Sequence, residues 1–419
     1  MHRVVIDKPY QFVPPIESRF WPWILQFYLE RYLWRTHGID QFEVRGAELL
    51  RRSIEAGHGV LLTPNHSRPD SDPLVLGMLS REAGRPFFAM AAWHVFQQSS
   101  LTTFLLRRMG AFSVYREGMD KAAVTKAIDV LAAARRPLVI FPEGVGTRTN
   151  DRLHTLREGV SLIARSAARK RAKSGGGQIV VHPVAMKYVF RGEPHRVVDR
   201  LLGQIEQRLS WRPQSELPPL ERIRKLGEAL LTLKELEFLD GPQTGGLYER
   251  LDRLIERLLA PLEERWLSES MRPAAEATPD IEARRREVVT RVKQLRTAIL
   301  PELIDGELSE SQREARWRDL QDVYIAQAMS FFPADYIASR PSADRYLETI
   351  QRFEDALSDQ TTRLEPIKVV IQVGEPIEVA ERRTRGGEGD PLMLQITEQL
   401  QGMLDQLAGE SQAMDESNE

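Results

Sequence analysis

The sequence predicts an α/β protein: a mostly parallel sheet flanked by helices and interrupted by a large all-helical insertion. Three observations lead there. From residue 42 to residue 190, short apolar runs alternate with longer runs of helical period, the pattern of strand and helix units in a parallel sheet. From about 191 to 365 the chain is charged, helical and almost free of strand signals. The strand pattern then returns once, in "IKVVIQVGEPIEV" (367 to 379), followed by a Gly-rich loop and a last amphipathic helix from about 391 to 407. A pattern that resumes after a helical block marks the block as an insertion into one domain, not as a C-terminal partner.

Taken in order, residues 17 to 36, "ESRFWPWILQFYLERYLWRT", read as a helix whose Gln26, Glu30, Arg31 and Arg35 form a narrow polar stripe beneath a wide aromatic and aliphatic surface. Two covers suit it: the rest of the protein, or a lipid headgroup layer, where Trp and Tyr are favoured. The core runs are "GVLLTP" (59 to 64), "PFFAMAA" (86 to 92), "GAFSVYR" (110 to 116), "PLVIFPEG" (137 to 144) and "QIVVHPVAMKYVF" (178 to 190). Helices are expected between them over about 72 to 83, up to Met109, 119 to 134 and 156 to 173. Pro183 cannot donate to a ladder, which predicts a bend or an edge position there. The expected organisation is an aromatic N-terminal helix (1–41), an α/β core (42–190), the helical insertion (191–365), a returning strand and C-terminal helix (366–408) and a frayed polar tail (409–419).

Composition narrows the chemistry. A chain of 419 residues is long for one compact domain, in keeping with an insertion. The formal charge of -2, from 58 Lys and Arg against 60 Asp and Glu, offers no global attraction to nucleic acid or anionic membranes, so an anionic ligand needs a local cluster. The basic run Arg284 to Arg286 lies among acidic neighbours and reads as a solvated helix face. Cysteine is absent, which excludes disulfides, thiolate metal sites and a thiol nucleophile, and fits a reducing compartment. The start "MHRVVIDKPYQFVPP" lacks the features of a secretory signal, and no window approaches the ~18 apolar residues of a membrane span. The expected location is the cytoplasm.

Four segments carry candidate chemistry. In "LLTPNHSRPDSDPLVLG" (61 to 77) a buried strand delivers Asn65 and His66 to a loop, with Asp70 and Asp72 at the start of the next helix. Aspartates there can simply cap orphan N–H groups and suit the helix dipole, which explains neither His66 nor its place. A carboxylate within reach of an imidazole fixes its tautomer and raises its basicity, giving a general base for a hydroxyl. "GAFSVYR" sets Arg116 just past a strand end, where a permanent charge suits an anion. "VIFPEGVGTRTND" (139 to 151) holds Glu143 beside Gly144, then Thr147 and Arg148, in a loop whose backbone can approach a ligand; no Gly-Lys-Ser/Thr follows, so it is no P-loop. "VVHPVAMKY" (180 to 188) is an apolar strand interrupted by His182, which reads as a structural histidine, and Pro183.

In this order and spacing the segments resemble the glycerolipid acyltransferase family, the lysophosphatidic acid and glycerol-3-phosphate acyltransferases. Its blocks are N-H-x4-D, G-x5-R, F-P-E-G-T-R-S and a hydrophobic strand with a central proline. The likeness covers about residues 42 to 190 and, more loosely, "VVIQVGEPIEV". Two departures stand out. The family aspartate falls five positions after the histidine, where this chain has Ser71; a one-residue loop insertion makes Asp72, with Pro73 after it, the favoured partner, and Asp70 the alternative. Val145 and Gly146 are extra in the third block and displace Arg148.

The resemblance implies an acyltransferase-type sheet and an O-acyltransferase. Its His66, oriented by Asp72, would deprotonate an acceptor hydroxyl for attack on the thioester of acyl-coenzyme A or acyl carrier protein, with no metal and no cofactor. Arg116 and Arg148 would clamp the phosphate of glycerol-3-phosphate or a lysophospholipid. Asn65, Glu143, Gly144 and Thr147 would shape the acceptor pocket, with Lys187 a weaker addition. The partners implied are the acyl donor, a phosphorylated glycerol or lysolipid and the inner face of the membrane, not nucleic acid. The same chemistry on another lipid acceptor, or a non-catalytic lipid-binding scaffold on this fold, are the alternatives that the irregular spacing leaves open.

Overall fold

The computed structural model describes residues 9–116, 120–271, 281–305, 307–358, 361–382 and 389–414. Two compact units form the described chain: Tyr10–Pro194 with Thr362–Ala413, and His195–Thr361 with Pro9 and Met414. The borders at 194/195 and 361/362 compare with the 191 and 365 expected from the loss and return of the strand pattern.

The first unit is a mixed α/β body around one eight-stranded sheet. Its strands are β1 (Ile39–Arg45), β2 (Gly59–Pro64), β3 (Phe88–Ala92), β4 (Ala111–Val114), β5 (Leu138–Val139), β6 (Ile179–Phe190), β7 (Ile367–Val373) and β8 (Ile377–Glu378). The order across the sheet is β1-β7-β6-β2-β5-β3-β4, with β8 also on β6. All pairs are parallel except β6 with β7 and β6 with β8. Its helices are α1 (Phe20–His37), α2 (Ala47–Glu55), α3 (Asp72–Glu82), α4 (Trp93–Phe96), α5 (Ser100–Met109), α6 (Lys121–Ala133) and α7 (Gly159–Lys173), and α14 (Pro391–Leu407) closes the unit.

Central strands read as unbroken apolar runs because helices cover both faces. On one face Ala123, Ala127 and Leu131 of α6, Ile163, Ala164 and Ala167 of α7, and Ile396 of α14 pack on Leu61, Phe112 and Val181. Small alanines at helical spacing let these helices sit close to the sheet. The strand β1 escaped sequence reading because it is a sheet edge: Asp40, Gln41, Glu43 and Arg45 break its apolar pattern, and Glu43 pairs with Arg45 and Lys368. The expected helix up to Met109 is two pieces, α4 and α5.

Pro183 is neither at an edge nor at a bend that ends the strand. β6 runs through it for 12 residues at the middle of the sheet. On one flank β6 pairs with β8 as far as Val181 and with β7 from Val184 onward, and the Pro183 carbonyl accepts Gly374 N–H at that junction. Its missing N–H faces the same flank, where neither strand demands a donor.

The second unit is all helical: α8 (Pro194–Arg208), α9 (Pro219–Phe238), α10 (Leu247–Trp266), α11 (Ile281–Asp305), α12 (Glu310–Ser330) and α13 (Ala343–Leu357). Leu251, Leu254, Ile255, Leu258, Leu259 and Leu262 recur at helical spacing along α10 and form a core with Val292, Leu295 and Ile299 of α11 and Leu320 and Val323 of α12.

Several expectations fall outside the described residues: the start of the chain up to residue 8, the side chains of Arg284 to Arg286, the Gly-rich loop at 383–388 and the tail from 415. Residues 409–414, expected to fray, are built into the structure. Gln412 Nε2 donates to Phe190 O, and Met414 is buried.

Candidate active site

The site forms where β2 ends and β6 continues. β2 stops at Pro64, opposite Val184, whereas β6 runs on to Phe190. Beyond that point its backbone on the β2 flank would lack partners, and two asparagine side chains supply them. Asn65 Oδ1 accepts Met186 N–H at 2.7 Å and its Nδ2 donates to Met186 O at 3.0 Å. Asn150 does the same for Tyr188, at 2.8 and 2.5 Å. Asn65 therefore locks the loop that bears His66 and is not available to a substrate, a correction of its assignment to substrate binding.

The loop 65–72 folds back on the Arg68 carbonyl, which accepts both Ser71 N–H and Asp72 N–H. That turn absorbs the extra residue and brings the Asp72 carboxylate to His66 Nδ1, at 2.9 Å. Asp72 is fully buried, and Arg68 N–H and the Tyr188 hydroxyl also donate to it, at 2.9 and 2.5 Å. Ser71 Oγ lies 3.0 Å from the same hydroxyl. Asp72 opens α3 without capping it, so the helix-cap explanation fails for it; Asp70 is exposed and is not the imidazole's partner. With Nδ1 engaged, Nε2 is the nitrogen left for a substrate. Among the described residues it makes no hydrogen bond. The neighbouring Ser67 hydroxyl, also buried, has no hydrogen-bond partner among them.

The third block closes over this loop. The Phe141 ring lies 4.2 Å from the imidazole. Thr147 N–H donates to His66 O at 3.0 Å and Arg148 N–H to Ser67 O at 3.1 Å. Glu143 accepts His66 N–H on one oxygen at 2.7 Å and His154 N–H on the other at 3.1 Å. Burial, opposed by those two bonds, raises its carboxyl to about 7. The added Gly146 makes the close approach possible: a Cβ there would stand 2.6 Å from Pro69 Cγ. Gly144, at φ 71°, lies so close to Arg157 that a Cβ would fall 2.4 Å from its Nε. Glu143 and Thr147 are buried and spent on holding loops together, not on lining an acceptor pocket.

Two predicted residues lie elsewhere, and a third, Arg148, stays beside the loop that bears His66. Lys187 alternates with Tyr188 along β6, which puts it on the other face of the sheet. There it pairs with Asp151 at 3.7 Å, both fully buried, and does not join an acceptor cluster. Arg116 follows β4 at the opposite edge; β5 and β3 separate β4 from β2, about 14 Å at ~4.8 Å per strand. Arg148 is half-buried with its backbone in the left-handed region, φ 52°. Sequence reading also missed Tyr188 and Arg68. The signal for Tyr188 was available: a phenol in a buried strand needs a partner for its hydroxyl. Among the described residues no group of His, Asp or Glu is arranged to hold a metal ion.

A buried imidazole held by a carboxylate, with its second nitrogen without a hydrogen bond among the described residues, is an arrangement able to take up a proton. Residues 41–187, within the α/β body, match the family model described as Acyltransferase, which supports the resemblance to the glycerolipid acyltransferases. The protein is an acyltransferase. The match spans the four blocks and leaves out the helical unit. No curated protein matches the chain.

Proposed function

We propose that the protein moves a fatty acyl group from acyl-coenzyme A or acyl carrier protein to a hydroxyl of glycerol-3-phosphate or a lysophospholipid, a step of phospholipid synthesis. The observation that carries this reading is the His66–Asp72 pair, with three donors fastening Asp72 and Nε2 left open. His66 takes the proton of the acceptor hydroxyl, whose oxygen attacks the thioester carbonyl carbon. The Ser67 hydroxyl, one residue from His66 and without a hydrogen-bond partner among the described residues, is the donor proposed for the oxyanion that forms. The C–S bond then breaks, the sulfur takes the proton back from the imidazolium, and an ester and a free thiol leave. Neither a covalent acyl-enzyme nor a metal is part of this scheme.

A lipid acceptor requires a lipid surface, and α1 offers one. One side of it packs on α3, where Leu29 fills the space above Gly77. On the other side Phe20, Trp23, Phe27, Tyr28, Tyr32 and Trp34 are more than half exposed, and so is Leu101 of α5, a helix in contact with α1. Of the two covers foreseen for this helix, the protein supplies one on the α3 side, and a lipid layer is the cover proposed for the other. Exposed Arg31 and Arg35 suit an anionic interface. Among the described residues no helix is long and apolar enough to cross a membrane, so the attachment proposed is peripheral, on the inner face.

The test is thiol release from acyl-coenzyme A by the purified chain on adding glycerol-3-phosphate, lysophosphatidate or other lysolipids. Acceptor-dependent release is expected. No release with any acceptor or acyl carrier, alongside intact vesicle flotation, would instead show a lipid-binding scaffold.

A further inference from the structure

Three buried arginines of this chain meet a carboxylate. Arg165 binds Asp390 at 2.6 Å, Arg222 binds Glu206 at 2.8 Å, and Arg291 binds Glu263 at 2.7 Å. Arg68, two positions after His66 and half-buried, forms no ion pair and no side-chain hydrogen bond among the described residues. Its guanidinium carbon instead lies 4.6 Å above the centre of the Tyr188 ring. Stacking offsets part of the cost of withdrawing the charge from water, but it leaves the donors of the guanidinium unused.

We infer that Arg68 contacts the phosphate of a phosphorylated acceptor held beside His66. This rests on the acyl-transfer reading above. The acceptor hydroxyl must come within ~2.6–3.2 Å of Nε2 to lose its proton. In a glycerol phosphate the phosphate is only a few bonds from that hydroxyl, so its cation has to stand near the dyad. Arg68 is placed there by the turn that places Asp72, since its N–H donates to the carboxylate and its carbonyl accepts Asp72 N–H. The Tyr188 ring beneath it is anchored through its hydroxyl to the same carboxylate. A planar guanidinium held on an aromatic face is prepared for a bidentate phosphate contact with little further loss of freedom. Arg116, at the far edge of the sheet, lacks this placement.

The experiment measures thiol release by the full chain with lysophosphatidate and with uncharged monoacylglycerol, varying acceptor and acyl-coenzyme A separately. Arg68→Ala should raise KM for lysophosphatidate about 10-fold or more. The kcat and the KM for monoacylglycerol should stay near the wild-type values, and Arg68→Lys should recover part of the loss. Tyr188→Phe keeps the ring and removes the donor to Asp72, so it should lower kcat with both acceptors and leave their KM ratio intact. Arg68→Gln retains most of the stem and replaces Arg68→Ala if circular dichroism shows that variant unfolded.

A rise in KM for acyl-coenzyme A alone would assign the phosphate to the donor and overturn the acceptor contact. Equal kcat losses with both acceptors would make Arg68 a support for Tyr188 and Asp72 only. An active wild type with unchanged KM in Arg68→Ala overturns this inference by itself, whereas a wild type inactive with every acceptor overturns the acyl-transfer reading and this inference together.

Discussion

The α/β body and the helical unit both bury charge, but they spend it differently. In the helical unit three arginines close on carboxylates. Arg291 joins Glu256 and Glu263 between α10 and α11, Arg222 joins Glu206, and Arg250 joins Glu235. Such pairs are weak sources of net stability, but breaking one leaves an uncompensated buried charge. Around His66 the network stops short of closure: among the described residues Nε2, the buried Ser67 hydroxyl and the half-buried Arg68 guanidinium have no hydrogen-bond partner. A closed polar network holds helices together. An open one has a place for a ligand.

The largest effect that separates the two regions should come from the dyad. His66→Ala is expected to slow thiol release roughly a hundred- to ten-thousand-fold without moving the unfolding midpoint much, and Asp72→Asn should fall in the same range. Asp70→Asn should be close to wild type, because Asp70 is exposed. A stronger effect at Asp70 than at Asp72 would break the assignment of the imidazole's partner.

The complementary test belongs to the helical unit. Arg291→Leu leaves Glu263 buried among apolar neighbours and should cost about 3–5 kcal/mol in urea unfolding, with turnover per folded molecule unchanged. The double variant Arg291→Leu/Glu263→Leu should recover most of that loss. If it is no more stable than the single variant, the pair is not closed on itself and the contrast between the regions fails.

The smallest effect sharpens the comparison at Glu143, a buried carboxyl fastened by two N–H groups but with no cation. Its folded-state value, about 7, lies above the ordinary carboxylate range, so between about 4.5 and 7 the folded chain binds more protons than the unfolded one. Stability attributable to this group is therefore lost as pH rises through that window, by up to roughly 3 kcal/mol. The difference in unfolding free energy between wild type and Glu143→Gln, measured at pH 5 and at pH 8, should move against the wild type at the higher pH. A difference independent of pH would place the carboxyl in its ordinary range.

How far the sequence spoke can be judged at single residues. Gly59–Pro64, Asp72–Glu82 and Pro391–Leu407 match the runs read from periodicity almost residue for residue, because burial on a sheet face or a helix stripe imposes its period on the chain. β1 did not show, since only Phe42 and Val44 alternate with its polar residues, too short a run to stand out. In the site, His66 and Glu143 stood out as polar residues at the ends of apolar runs. Asn65 and Lys187 did too, and were misread: nothing local says that an amide will stand in for a missing strand, or that a lysine will face an aspartate across the sheet.

By itself, then, the sequence determined the strand and helix alternation, the interruption by a helical unit, and the presence of a histidine among four blocks of an acyltransferase. Those features are periodic or contiguous, and each is written within a few residues. Only the tertiary structure decided that Asp72 and not Asp70 holds the imidazole, because the choice depends on a turn about Arg68 O and on a hydroxyl 116 positions away, Tyr188. The same holds for Asn65, whose amide is committed to a strand 121 positions on. Hydrogen bonds between distant segments depend on how β6 outruns β2 in the sheet, and no spacing along the chain encodes that length difference.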